Sequence, residues 1–143
     1  MSRPIWSLRI LGTGDTVASR VTIADGFLSR LRGLQFRRPL GPGEGLLLVP
    51  CSSIHTMFVR GPIDAVFLDR SGAVLGVEHH ISPWRPLVKA PRKTYATLEL
   101  PAGGGRVHKG DRLQLDGRPP NGVSPPKSVR FITGRSLAAV PTI

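Results

Sequence analysis

GLLLVPCSSIHTMFVRGPIDAVFLD, Gly45–Asp69, is the stretch whose reading decides the fold. It opens with Leu46–Val49, a short uninterrupted apolar run of the kind found in strands buried on both faces. His55–Arg60 then alternates, with Thr56, Phe58 and Arg60 set against His55, Met57 and Val59, which predicts a second strand. Gly61-Pro62 breaks that run, because proline lacks the N–H that a ladder needs. Ile63–Leu68 is a third strand, with Ile63, Ala65 and Phe67 on one face and Asp64, Val66 and Leu68 on the other. Asp69-Arg70-Ser71-Gly72 is turn chemistry, and Ala73–Glu78 returns as the hairpin partner.

The same punctuation continues on both sides. Trp6–Leu11 and Thr16–Ile23 read as strands around Gly12-Thr13-Gly14-Asp15. That lone Gly-x-Gly lacks the third glycine and the following helix of a phosphate-binding fingerprint, so it is a turn. Thr22–Gly33 is the one helix candidate. Phe27, Leu28, Leu31 and Leu34 fall at i, i+1, i+4 and i+7, a stripe expected to pack on the core. Thr22 and Asp25 resemble a capping box, and Gly33 suits the C-terminal cap. Arg37–Gly45 is a loop, and Tyr95–Leu100 and Arg112–Asp116 complete about eight short strands. The expected fold is mainly β: a small antiparallel β-sandwich or jelly-roll-like barrel with one short N-terminal helix. Residues 1–116 form its single domain. Residues 117–143 hold four positive charges, no acidic ones and several prolines, and are expected to be a disordered basic tail, in which Phe131-Ile132 and Leu137–Val140 could still dock.

A chain of 143 residues is about one domain and large enough to bury a core. With 17 Gly and 14 Pro, short elements and many turns are favoured over long helices. The formal charge is +11, and 16 of the 20 basic residues are arginine. Such a charge draws nucleic acid, anionic membrane or an acidic partner. The basic residues are spread along the chain without a run of like charges, and a GC-rich genome would enrich arginine, glycine, proline and alanine alike. No run approaches the roughly 18 apolar residues of a membrane span, and Arg9 interrupts the short apolar N-terminus, so a cytoplasmic location is expected. A single cysteine excludes an intrachain disulfide and a multi-thiolate zinc site.

Polar side chains in Pro50–Asp64 supply the site candidates. Cys51 and His55 could form a thiolate–imidazole pair. On a continuous strand, residues four apart are about 13 Å apart, so the two meet only if Pro50–Ser53 turns. Otherwise Cys51 is a small buried side chain at a strand end. Arg60 and Asp64 flank Gly61-Pro62 and with His55 and Trp84 could line a polar binding groove; the competing reading is an ion pair bracing a bulge. Asp64 also suits capping of local backbone donors. His79-His80 point to opposite faces of a strand, and no ligand spacing identifies a metal site, so no metal or cofactor is expected.

The Gly45–Asp69 block, followed by Gly72, Val74, Pro83-Trp84, Leu98-Glu99-Leu100-Pro101-Ala102-Gly103 and Gly110-Asp111, resembles a bacterial and archaeal family called domain of unknown function 192. Arg30-Leu31-Arg32-Gly33-Leu34 fits its early motif, and the resemblance spans roughly residues 16–116. It implies a small mainly β sandwich of jelly-roll type with one short helix, and no established reaction. Many relatives are exported behind a signal peptide or anchor, which this chain does not display. In another branch of the family a tryptophan stands where His55 does, while Asp64 fits both branches. A reaction common to the family therefore cannot depend on Cys51 and His55. The expectation is a non-enzymatic binding or accessory module for a small polar ligand or a protein partner. The alternatives are a Cys51/His55-dependent hydrolase or transferase and a basic nucleic-acid-associated protein.

Overall fold

The structure, a computed structural model, describes residues 5–35, 37–104, 106–118 and 124–134. In chain order its elements are β1 (Ile5–Ile10), β2 (Thr16–Ala24), α1 (Phe27–Arg32), β3 (Glu44–Leu48), β4 (Ser53–Ile54), β5 (Ile63–Leu68), β6 (Val74–Ile81), β7 (Val88–Lys89), β8 (Ala96–Pro101) and β9 (Leu113–Arg118). Seven strands form one sheet in the order β6-β5-β8-β3-β2-β1-β9, and β4 pairs with β7 in a second, two-stranded sheet. The fold is mainly β with one short early helix, as the sequence predicts. The large sheet is mixed, because β2 and β3 run parallel from Arg20↔Glu44 to Ala24↔Leu48. Parallel neighbours need a crossover, and the connection carrying α1 supplies it.

The sheet curls until its two edge strands meet at their starting ends. Ala73 bridges Arg112, Val74 N–H donates to Asp111 O at 2.7 Å and Leu113 N–H to Gly72 O at 2.9 Å. The remainder of the two edges stays unpaired with each other, so the barrel is not closed. Its inner face buries Leu8, Leu47, Val66, Leu68, Leu98 and Leu113. A second core lies on the other face of β3, β5 and β8, where Leu46, Leu48, Ala65 and Phe67 pack with Ile54 and Val88 of the small sheet.

Three segments depart from expectation. The helix begins at Phe27, because Thr22–Ala24 complete β2 against β3. Its cap is Gly26, whose N–H donates to the Ser29 hydroxyl at 3.1 Å, so Thr22 and Asp25 have no capping role. The stripe does not pack: Phe27, Leu28 and Leu31 are 72%, 75% and 55% exposed, and Leu34 alone is buried. His55–Arg60 is not a strand. Thr56 folds it into a turn: Thr56 N–H donates to Arg85 O (2.8 Å), Trp84 N–H to Thr56 O (2.8 Å) and Arg85 N–H to the Thr56 hydroxyl (2.9 Å), while that hydroxyl donates to Ser82 O (2.8 Å).

The third departure concerns the stretch after Asp116. β9 runs on to Arg118, and the 3-10 turn Lys127–Val129 returns the chain to the barrel. Val129 and Ile132 are buried in the first core, so this part of the expected tail is packed, as Ile132 was expected to permit. Gly72, at φ +84°, makes room for it: a Cβ there would lie 2.8 Å from Ile132 Cγ2. Leu137–Val140 lie outside the described residues.

Candidate functional site

Where the loop after α1, the Pro50–His55 connection and the β8 wall converge, they leave a cavity of about 800 Å³. The Val49–Pro50 peptide is cis, and the chain leaves β3 in a turn that carries both Cys51 and His55 to the cavity. No hydrogen bond joins the two side chains. The Cys51 thiol donates to Ser53 O at 3.0 Å, and burial pushes its pKa up, which favours the protonated form. His55 Nδ1 accepts the Met57 N–H at 3.2 Å, and its Nε2 lies 3.1 Å from the Gln35 side-chain nitrogen. The same Gln35 nitrogen donates to Leu31 O at 3.1 Å.

The residue that sequence reasoning missed is Glu99. β8 lies between β3 and β5, and Glu99 sits in register with Leu46 on one side and Ala65 on the other, both buried. Its side chain therefore lies in the second core and on the cavity wall, 3% exposed. Among the described residues Oε2 has no hydrogen-bond partner. Burial alone raises the carboxyl pKa to about 8, so at neutral pH it keeps its proton and offers one O–H donor and one carbonyl acceptor. In the sequence, Glu99 sits between two leucines of a strand; a strand covered on both faces would have marked it as a buried acid.

Arg30 and Arg70 also border the cavity. The Arg30 guanidinium donates to Gly26 O at 3.3 Å and Pro50 O at 2.9 Å. The Arg70 guanidinium lies over the Tyr95 ring, 4.5 Å from its centroid. Neither pairs with a carboxylate among the described residues.

His55, Arg60, Asp64 and Trp84 do not share one groove. His55 faces the large cavity, Arg60 a hollow of about 190 Å³ beside Gly61-Pro62, and Asp64 a separate cavity of about 450 Å³ next to His79. Trp84 is exposed and packs edge-on against Phe58, with centroids 4.9 Å apart. Among the described residues Arg60 makes no ion pair with Asp64. Asp64 instead accepts the His80 N–H at 2.8 Å and the Gly103 N–H at 3.2 Å, with His79 Nδ1 3.3 Å away. His80 has φ +52° at the register shift of the β5–β6 pair, so Asp64 braces a bulge in β6 and ties it to the loop after β8. No group of three or more His, Cys, Asp or Glu among the described residues could hold a metal.

Fold and site together define a class: a curled β-sheet protein with a side cavity walled by a buried, neutral acid. The profile of domain of unknown function 192, described as uncharacterized ACR, matches residues 9–115. The chain belongs to that family. It is 33% identical over 108 residues to a UPF0127 protein of Pyrococcus furiosus, covering 71% of this chain and 90% of that one. A UPF0127 protein of Pyrococcus horikoshii is 35% identical over 86 residues, covering 58% and 73% of the two chains. Among solved structures, a Novosphingobium aromaticivorans protein of unknown function superposes with a TM-score of 0.67 at 23% identity, over 76% of this chain and 83% of its own. A candidate transcription regulator of Sinorhizobium meliloti superposes with a TM-score of 0.68, also at 23% identity, over 82% and 97%. At that identity the likeness concerns the fold alone. Among the described residues no helix is long and apolar enough to cross a membrane.

Proposed function

We propose that this chain is a non-enzymatic binding module and that its site is the cavity beside Glu99. The observation that carries this reading is a buried carboxyl group with an oxygen left unpartnered among the described residues, on the wall of a cavity large enough for a small molecule. An unsatisfied buried polar atom costs about 1–3 kcal/mol, and a ligand that completes its hydrogen bonding offsets that cost. The Cys51 thiol supports binding over nucleophilic chemistry, since burial disfavours its thiolate and its proton is given to Ser53 O.

Amide-resolved NMR with a panel of small polar fragments (benzoate, 4-acetamidobenzoate, phenyl phosphate, benzamide and benzylamine) tests the location. Shifts concentrated at Leu34, Cys51, His55 and Glu99 are the expected result. Shifts concentrated at Asp64, His79 and Gly103, or no fragment binding at the Glu99 cavity, would sink the proposal.

A further inference from the structure

The charges around the cavity say more about the occupant than its volume does. Its charged and titratable lining groups are Arg30 and Arg32 from α1, Cys51 and His55 from the connection after β3, Arg70 after β5, Tyr95 before β8, and Glu99 from β8. Glu99 is the one acid in that set, and it is neutral at pH 7. β3 and β5, which flank it in the sheet, present Leu46 and Ala65 to it. The wall is thus cationic at arginine and uncharged at the buried acid. Arg30 is held at its post by the Gly26 and Pro50 carbonyls, and Arg70 by the Tyr95 ring, each without a carboxylate partner among the described residues. Two positioned, unneutralised guanidinium groups suit an anionic ligand group, which they can meet with paired N–H donors. A cationic ligand would meet the same arginines as like charges. A polyanion such as DNA could touch the arginines but would find no path for its backbone to an acid that is 3% exposed.

Building on the binding reading above, we propose that the occupant is a small organic anion that also carries a neutral hydrogen-bonding group: Arg30 and Arg70 take the acidic group, and the Glu99 carboxyl meets the neutral one. Carboxylates and phosphate monoesters share this chemistry. The apolar body of the ligand lies against Leu31 and Leu34, which line the same cavity. Ionised Glu99 would repel the anion, so binding weakens as pH rises past the point where Glu99 loses its proton, about 8.

Titration of the full chain with the same fragments separates the two levels of the proposal. Cavity binders should be the anions: 4-acetamidobenzoate or phenyl phosphate should bind about tenfold or more tightly than benzamide and benzylamine, the scale of one charge-assisted hydrogen bond. Arg30→Gln and Arg70→Gln should each remove most of that preference while benzamide binding stays unchanged. Between pH 7 and 9.5 the wild type should lose affinity for the anion, and Glu99→Gln should hold it. The relative response to benzoate and phenyl phosphate distinguishes a carboxylate from a phosphate ligand. Neutral or cationic fragments binding in the cavity as tightly as the anions would overturn the anion assignment and leave the binding site standing. An anion affinity indifferent to both arginine substitutions would do the same. Absence of any cavity binding would overturn both.

Discussion

Asp64 and Glu99 are two buried acidic side chains in neighbouring strands, 2% and 3% exposed, one step apart in register. Ala65 pairs with Glu99 and Asp64 with Leu100, so the two side chains leave the sheet on opposite faces. Asp64 accepts two backbone N–H groups and lies beside His79, closing a bulge and a loop. Glu99 has an oxygen without a hydrogen-bond partner among the described residues and a cavity in front of it. A buried carboxyl of the first kind holds the fold together. One of the second kind weakens it, and the proposed ligand would offset that penalty. The contrast implies different outcomes for substitutions at the two positions.

Asp64 gives a loss of stability on substitution. Asp64→Ala would strand the His80 and Gly103 N–H groups and release the β6 bulge, with an expected loss of about 3 kcal/mol in urea unfolding. A loss below about 1 kcal/mol would show that the bulge stands without its carboxylate and would remove one side of the contrast. Glu99 should behave in reverse. Its folded pKa is about 8 against an ordinary value of 4.5, so the native state holds more protons than the unfolded chain between those pH values. The stability this group contributes is complete below about pH 4.5 and declines as pH rises to about 8. The decline reaches about 3.5 kcal/mol by pH 7, at ~1.4 kcal/mol per unit. Glu99→Gln cannot lose that proton. The stability of the wild type minus that of Glu99→Gln should therefore fall across pH 4.5–8 and level off above it. A flat difference would mean that Glu99 is ionised and paired in solution.

The contrast also marks what the sequence could reveal. Alternation and turn residues located β5, β6, β8 and β9 closely, because each strand is bounded by glycine, proline or aspartate and the period of two is intact. Asp64 was recognisable as a capping residue, since Gly61-Pro62 and the strand pattern surround it. Glu99 was not. Its burial follows from β8 lying between β3 and β5, two strands that both come well before it in the chain. The parallel β2–β3 pair was hidden for the same reason. In His55–Arg60, alternation misled: four hydrogen bonds of Thr56 to Ser82–Arg85 outweigh the strand periodicity. Cys51 and His55 do reach one cavity, as a turn at Pro50–Ser53 would require, yet they arrive there bonded to other groups.

The smallest effect tests the helix beside the cavity. Its stripe of Phe27, Leu28 and Leu31 reads as a core-facing surface, yet these side chains stand in solvent and only Leu34, past the helix, enters the core. If stability came from that stripe, Leu28→Ser would cost what a buried leucine costs, roughly 2 kcal/mol or more. Because Leu28 is 75% exposed, the expected change in unfolding free energy is within about 0.5 kcal/mol. Leu31→Ser separates the two properties further, since Leu31 is 55% exposed and also lines the cavity. It should leave the unfolding midpoint nearly unchanged and weaken fragment binding, the mirror image of Asp64→Ala, which should unfold the chain more readily without touching the Glu99 cavity. A large stability loss in Leu28→Ser would show that the stripe is buried in solution and that the helix packs as its periodicity suggests.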